Sequence, residues 1–273
     1  MLARFAVTSL AVAALPVAAH AGLVITNEHK RLDGSEKPST TTVSMEGGNF
    51  RADIGGDHPM ITIFDGKQMV TADPEKKTYR AMTEEDVKAL AAKSAEARKK
   101  AREGLSANRA RMEEAMKKMS PEQRKQMEAM LAQAGEEGPS AKAQRPEVKY
   151  AATGEKRSVA GHRCEVYKEM REGKLRAETC FIPWSAGVVT KADLGSFQKL
   201  EEFMKPLTGG LGETRQGFMK SALDAPGIPA WTRHVDGSGK PTSEDQLVAV
   251  KRTSVPTSQF AVPAGYTKTP NPF

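Results

Sequence analysis

The chain contains few of the residues from which catalytic and metal sites are built. It has 2 cysteines and 5 histidines among 273 residues. His20 falls in the N-terminal apolar segment, and the other four lie far apart on different predicted elements: His29, His58, His162 and His234. No nucleophile elbow, no histidine pair at helical metal-binding spacing and no dinucleotide-binding fingerprint is present. We therefore expect no enzyme activity, no cofactor, no catalytic residue and no metal site at His58.

Residues 1–21 have the pattern of a secretory signal peptide. Arg4 precedes an apolar run from Phe5 to Ala19, and small residues follow at Ala19-His20-Ala21. Pro16 breaks the run, which is also short for a membrane span. We expect cleavage before Gly22 and a periplasmic location. Two cysteines with no leftover thiol agree with an oxidising compartment.

The charge balance is basic, with a formal net charge of +7. Exported proteins rarely meet nucleic acid, so no nucleic-acid partner is expected. An anionic membrane surface is the electrostatic partner that this charge favours, through peripheral contact.

Both cysteines lie in one predicted β-hairpin. Strands over 163–170 and 174–182 flank Arg171-Glu172-Gly173, and a three-residue loop ending in glycine fits this reversal. The loop sets a register in which Cys164 directly faces Cys180. Opposed strand positions lie about 4.5–5.5 Å apart, within the range that a disulfide requires. We predict a Cys164–Cys180 disulfide.

Short β-branched runs between turn signals predict antiparallel strands over most of the chain. Gly-Gly and Asp-Gly pairs separate runs of about five residues between Gly22 and Tyr79. Further strands are predicted at Val148–Thr153, Gly187–Thr190, Ile228–Val235 and Gln246–Ser254. Asp193–Lys205 predicts an amphipathic helix, and the apolar residues of 260–266 are expected to dock as a closing clasp. The fold class is therefore α+β, a curved antiparallel β-sheet with helices on one face.

A long charged helical insert is predicted over residues 83–134. Thr83 is a good cap residue, and acidic residues follow it in the first turn. Gly104 is expected to interrupt the helix, and Ser120-Pro121 to restart it. Residues 135–146 then predict a flexible linker.

The later part of this insert carries a narrow apolar stripe of methionines. Its apolar residues recur at spacings of three and four, with the polar Gln123 at one position of the series: Met112, Met116, Met119, Met127, Met130 and Leu131. Three interpretations remain open. The stripe packs against the sheet or another helix; or it forms a mobile amphipathic cover over an apolar groove; or the pairs Met116/Met119 and Met127/Met130 bind the cuprous ion.

Several short motifs resemble a family of exported bacterial proteins that is known only as a domain of unknown function. They are Gly161-His162-x-Cys164-x-x-Tyr167, the Gly173 turn, Trp184, and Phe260-x-Val262-Pro263-x-Gly265-Tyr266. That family looks like the LolA/LolB type of lipoprotein carrier in fold. The resemblance covers most of the chain outside 83–146. It implies a half-open antiparallel barrel whose concave face is closed by helices and shelters acyl chains, as a single domain over 22–273.

The function expected from these observations is a non-catalytic periplasmic protein that binds an apolar ligand in the concave face of the sheet. The ligand is an apolar small molecule, a lipid or an acylated protein. The expected ligand-binding residues are Met112, Met116, Met119, Met127, Met130, Trp184, Phe197 and Phe203. The alternative is an envelope structural or adaptor protein that binds a protein partner through the Met-rich insert. A second alternative is copper binding through the methionine pairs.

Overall fold

Strands dominate the computed structural model, which describes residues 22–117, 120, 122, 148–208 and 223–271. The described strands are β1 (Leu23–Arg31), β2 (Ser39–Glu46), β3 (Asn49–Ile54), β4 (Met60–Phe64), β5 (Gln68–Asp73), β6 (Thr78–Thr83), β7 (Val148–Val159), β8 (His162–Arg171), β9 (Lys174–Pro183), β10 (Gly227–Val235), β11 (Pro241–Arg252) and β12 (Thr267–Lys268). The described α-helices are α1 (Glu84–Lys117) and α2 (Gly195–Thr208).

All twelve strands belong to one open sheet. Their order is β12-β6-β5-β4-β3-β2-β1-β11-β10-β9-β8-β7, and only β12 pairs in parallel, with β6. The first six strands form a meander, and β1 joins it to the C-terminal strands through β11. The predicted antiparallel α+β architecture is confirmed in this coarse form.

The hairpin β8–β9 contains the predicted disulfide but not the predicted register. Cys164 and Cys180 are bonded, with their Cα atoms 5.4 Å apart. Glu172 and Gly173 both have positive φ angles, 52° and 73°, which makes a two-residue turn between Arg171 and Lys174. A bulge between Glu169 and Met170 shifts the pairing further, so that Cys180 faces Val166.

The predicted cysteine pairing is correct although the predicted register is wrong, because the register differs by two residues in total. Cys164 and Val166 point to the same face of β8, since side chains alternate along a strand. The disulfide therefore runs diagonally between neighbouring positions of one face. The predicted three-residue loop requires the left-handed region at Gly173 alone, whereas Glu172 also adopts it, which bulky residues seldom do.

Helix α1 begins where the sequence predicts. The Thr83 hydroxyl accepts a hydrogen bond from the Asp86 N–H at 3.2 Å, and the Asp86 carboxylate accepts one from the Thr83 N–H at 2.8 Å. This reciprocal cap satisfies two donors at the helix start. The expected interruption at Gly104 is wrong, because the helix continues to Lys117. The rest of the predicted insert and the linker fall almost entirely outside the described residues.

The expected strand at Gly187–Thr190 is also wrong. Gly187 adopts a left-handed φ of 67° and closes a short 3-10 turn by donating to the Trp184 carbonyl at 3.2 Å. Val189 is buried and packs with Leu194 in the core instead of pairing with a strand. A second 3-10 turn, Lys191–Leu194, leads directly into α2.

The two faces of the sheet bury different clusters. The helix face carries Leu23, Met45, Phe50 and Phe64, which pack with Val189, Leu194 and residues of α2. The tail face carries Ile61, Ile63, Val70, Ala72 and Ala81, which pack with Val255 and Phe260 of the C-terminal segment. That segment closes the β6 edge as β12, as the predicted clasp requires. Neither described helix has the length and apolarity needed to cross a membrane.

Candidate binding face

Strand register divides the helix face into rows of side chains. Residues paired across neighbouring strands point to the same face. The first row consists of Leu23, Met45, Phe50, Phe64, Met69 and Met82. The second row consists of Ile25, Val43, Ala52, Thr62, Thr71 and Arg80. The first row is wholly apolar, and the second becomes polar toward β6.

Helix α2 covers the first row over β3 and β4. Phe197 stacks on Phe50 with ring centroids 5.2 Å apart, and Phe203 meets Phe64 edge-on at 5.5 Å. Aromatic pairs of these geometries contribute about 0.5–1.5 kcal/mol each beyond their buried area. Because Phe50 and Phe64 are buried by these contacts, this part of the row is occupied by the protein itself.

A charged clamp fixes the segment that leads into α2. The Asp193 carboxylate accepts hydrogen bonds from both terminal nitrogens of Arg252, at 3.0 and 2.8 Å. It also accepts from the Thr190 N–H at 2.6 Å, which caps the 3-10 turn. The Arg252 guanidinium, followed by the Thr190 bonds, lowers the pKa of Asp193 to about 2. The clamp therefore ties the start of α2 to the end of β11.

Beyond Phe64 the helix face opens into a cavity of about 790 Å³ over β4, β5 and β6. Its apolar lining includes three methionines, Met60, Met69 and Met82, and Met60 is 37% exposed. The volume lies within the range of about 300–1,000 Å³ that is usual for small-molecule sites. Methionine is flexible and polarisable, so it packs against ligands of varied shape.

The polar lining of the cavity is mainly cationic and hydroxylic. Arg80 is exposed and forms no ion pair with another described residue, whereas Lys76 pairs with Asp73 at 2.8 Å. The hydrogen bond from Lys76 lowers the pKa of Asp73. Thr71 and Asn271 add neutral polar groups. An apolar floor beside a guanidinium with no ion pair in the described chain is suited to an amphiphile with an anionic head.

The predicted ligand-binding residues have three different placements. Met112 is half-buried on α1. Met116 belongs to the same helix, but its side chain is outside the described part of the chain, as are Met119, Met127 and Met130. Phe197 and Phe203 are the α2 rings described above. The Trp184 indole N–H donates to the Ala225 carbonyl at 2.8 Å, and its ring packs beside the helix-face core. A ligand-binding role for these residues stays a prediction.

Sequence reasoning missed the methionines that line the cavity. Met60, Met69 and Met82 occur singly on three short strands, so no spacing along the chain connects them. The available signal was the period of two within each strand combined with the Asp65-Gly66-Lys67 turn. That turn places Phe64 beside Met69 and extends the apolar row past the aromatic residues.

The structure also brings together two histidines that the sequence leaves far apart. Asp245 on β11 holds His29 of β1 through Nδ1 at 2.7 Å and His234 of β10 through Nε2 at 2.8 Å. Burial alone raises the pKa of Asp245, but the bonds from His234 and His29 outweigh it and leave that pKa lowered. Within the described ranges, no group of three or more His, Cys, Asp or Glu is arranged to hold a metal ion.

Comparisons with known proteins give distant structural likenesses and one family. No curated protein matches the chain. An uncharacterized conserved protein from Thermus thermophilus is 9% identical over 92% of this chain and 90% of that chain, with a TM-score of 0.43. MucB in the MucA/MucB complex of Pseudomonas aeruginosa is 10% identical over 89% of this chain and 56% of that chain, with a TM-score of 0.37.

The resemblance noted in the hairpin and C-terminal motifs is confirmed at the level of the family. The model of the family described as "Domain of unknown function (DUF4412)" matches residues 105–266. This match covers more than half of the 273 residues, so the chain belongs to the DUF4412 family.

Proposed function

We propose that this protein is a non-catalytic binding protein that holds an acyl chain, from a lipid or an acylated protein, in the helix-face cavity. The observation that carries the proposal is the cavity itself. About 790 Å³ of space combines three methionines with an exposed arginine that has no ion pair among the described residues. These are the two features that retain an amphiphile.

The affinity in this proposal comes mainly from buried hydrocarbon. Each CH₂ group transferred from water contributes about 0.8 kcal/mol. The methionine thioethers of Met69 and Met82 adapt to the chain, and Arg80 binds an anionic head by a charge-assisted hydrogen bond. Phe197 and Phe203 support the site indirectly, because they hold α2 against the sheet at its border.

The proposed setting is the periplasm. The Cys164–Cys180 disulfide fits an exported protein, because such bonds persist in oxidising compartments. The signal peptide over 1–21 and a single domain over 22–273, with its insert at 83–134 and linker at 135–146, belong to the same proposal. The basic net charge supports peripheral contact with an anionic membrane surface.

A chain-length series tests the acyl-chain proposal. Delipidated protein is titrated with a series of saturated fatty acids whose chain lengths increase by two carbons, and calorimetry measures the affinity for each. Burial at about 0.8 kcal/mol per CH₂ predicts about fourfold tighter binding for each added carbon until the cavity is filled. Affinity that does not change with chain length would contradict the proposal.

A matched pair of variants locates the binding. Met60→Glu places a negative charge in the cavity, and Leu32→Glu places the same charge on an apolar position of similar exposure outside it, 37% and 40% exposed respectively. We expect Met60→Glu to weaken fatty-acid binding at least tenfold, since a carboxylate is costly within an apolar site and repels the carboxylate of the ligand. Leu32→Glu should bind like the parent protein. Equal effects of the two variants would place the ligand elsewhere.

One observation favours the adaptor alternative. Residues 99–108 of α1 are all exposed, and Leu105 is an apolar residue that is 67% exposed. A photo-cross-linker at Leu105, compared with one at Met60 in exported protein, separates the two functions. A protein adduct from position 105 alone supports the adaptor, and a lipid adduct from position 60 supports the acyl carrier. The copper alternative stays a prediction, because its methionine pairs are not among the described side chains.

A further inference from the structure

A second cavity, of about 420 Å³, lies on strands that contribute nothing to the helix-face cavity. It is lined by Glu169 and Arg171 of β8, Arg176 and Ala177 of β9, and His234 and Val235 of β10. Glu169, Ala177 and His234 form one row in the strand register, so they share a face. Two arginines and one histidine therefore border a space that is open to a small ligand.

The β-bulge in the hairpin brings Arg176 to this cavity. Leu175 pairs with Met170 and Ala177 pairs with Glu169, so Arg176 is the extra residue of the bulge. In a regular strand Arg176 and Ala177 would point to opposite faces, but both line the cavity. Bulges re-aim side chains in this way beside functional sites. Arg176 is exposed and forms no ion pair or hydrogen bond with any other described residue.

His234, on the neighbouring strand β10, is held in a fixed orientation. Its Nε2 is hydrogen-bonded to Asp245, which is held in turn by His29. This leaves Nδ1 as the nitrogen that donates to a ligand when the ring is protonated. The hydrogen bond to Asp245 raises the pKa of His234 above its ordinary value, which extends the charged form toward neutral pH.

The remaining charges leave the cavity cationic. Glu169 is the lining carboxylate, and Arg171 neutralises it through Nε at 3.0 Å and Nη2 at 2.9 Å. The neighbouring groups on the same row are Tyr150 of β7, beside Glu169, and Arg31 of β1, beyond Ser243. Arg31 is paired with Asp33. Arg176 and the His234 ring thus stand opposite a carboxylate that is already neutralised.

We propose that this cavity is a binding site for a phosphate group, held by the Arg176 guanidinium and the His234 imidazolium. A guanidinium presents paired N–H donors that match two oxygens of a tetrahedral anion. The imidazolium supplies a further donor and a charge. The phosphate comes from a free anion or from a lipid headgroup, and the chemistry of recognition is the same for both.

Calorimetric titration of the full exported protein with inorganic phosphate is the first test. Arg176→Gln should weaken binding about tenfold, because a hydrogen bond to a charged group contributes about 1.5–3 kcal/mol. Lys168→Gln is the matched control. It removes the same charge from an exposed position of the same hairpin, where Lys168 faces Glu178 on the opposite face from Glu169. Equal weakening in both variants, or no saturable binding of phosphate or of the vesicles below, would overturn the proposal.

Vesicles distinguish the two sources of phosphate. Binding to phosphatidylglycerol vesicles that requires Arg176, without measurable binding of free phosphate, assigns the site to a lipid headgroup. Binding of free phosphate that Arg176→Gln removes, with vesicle binding unchanged, assigns it to a soluble anion. Either result supports the proposal, and vesicle binding that is the same in both variants without phosphate binding rejects it.

The role of His234 is tested with inorganic sulfate, because sulfate keeps its charge across neutral pH. Sulfate should bind more tightly at about pH 5.5 than at about pH 8, since the ring is charged below its raised pKa. His234→Asn should remove this pH dependence while Arg176 still holds the anion. A pH dependence that persists in His234→Asn would assign the titration to Asp245, His29, Glu169 or another neighbour and would contradict the proposed donor.

Discussion

The two faces of β4, β5 and β6 are made by alternating residues of the same three strands, yet they serve different ends. The tail face presents Ile61, Ile63, Val70 and Ala72, which the C-terminal segment covers with Val255 and Phe260. The helix face presents methionines, threonines and Arg80 around an open cavity. Neighbouring residues along β4 and β5 therefore alternate between the core and the candidate site, and Ala72 borders both.

The difference between these faces lies in the kinds of side chain that pack in the core and the kinds that line an open cavity. Branched aliphatic side chains with few rotamers pack at crystal-like density against a fixed cover. Methionine loses more rotamer freedom when it is fixed and fills irregular space instead. The composition of each face thus agrees with its surroundings, a packed protein segment on one side and an open cavity on the other.

The largest expected effect on stability comes from alanine substitutions, one on each face of the sheet. Ile63 is 1% exposed on the tail face, and Ile63→Ala should lower the free energy of unfolding by about 2–5 kcal/mol through lost burial and a residual cavity. Met69→Ala on the helix face should cost less, about 1–2 kcal/mol, because Met69 is only partly buried and lines the open cavity. Urea unfolding of both variants measures the difference. Similar losses would mean that the helix face is packed as tightly as the tail face.

The hairpin β8–β9 contains the Cys164–Cys180 disulfide, whereas the hairpin β4–β5 is held by hydrogen bonds and packing alone. Removing the disulfide measures how much this covalent link adds to stability. The disulfide joins residues separated by 16 positions, and closing a loop of that length stabilises by about 3 kcal/mol in the chain-entropy model. The double variant Cys164→Ser with Cys180→Ser should therefore lose about 2–3 kcal/mol of unfolding free energy. Urea unfolding with and without reductant provides the control, since reductant should change the parent protein and leave the variant unaffected.

The smallest of the three stability effects concerns the clamp that positions α2 at the border of the open face. Asp193→Asn keeps the shape of the side chain but removes the charge that binds Arg252. The pKa of Asp193 is lowered to about 2 in the folded protein, so its stabilising contribution is present above the ordinary carboxyl pKa and is lost as pH falls through about 2. We expect a loss of about 1–2 kcal/mol at neutral pH.

Unfolding measured from neutral pH to about pH 2 checks this assignment. The parent protein and Asp193→Asn should converge in stability as the pH falls. A constant difference across the range would show that the clamp acts by shape and hydrogen bonding and not by the charge of Asp193.

The hairpin β8–β9 shows which structural features a local sequence pattern can predict. Period-two alternation and a glycine turn indicated the right pair of strands and the right disulfide. The register was wrong because Glu172 adopts a positive φ and Arg176 is inserted as a bulge. Both depend on how the strands twist against their neighbours, which the hairpin alone does not specify. Tertiary packing also explains the wrong prediction at Gly187–Thr190, where burial of Val189 in the core prevailed over strand propensity.

By itself, the sequence determined the strand-rich α+β class, the start of α1 at its Thr83 cap, the cysteine pairing and the docking of the C-terminal segment. These follow from local alternation, capping chemistry and turn residues. Only the tertiary structure decided which faces are covered, and with them both candidate sites. Met60, Met69 and Met82 meet through the registers of three strands, and Asp245 collects His29 from 216 positions away. Such contacts depend on the register between distant strands and on β-bulges. These features are stabilised by interactions across the assembled sheet, so the spacing of residues along the chain does not reveal them.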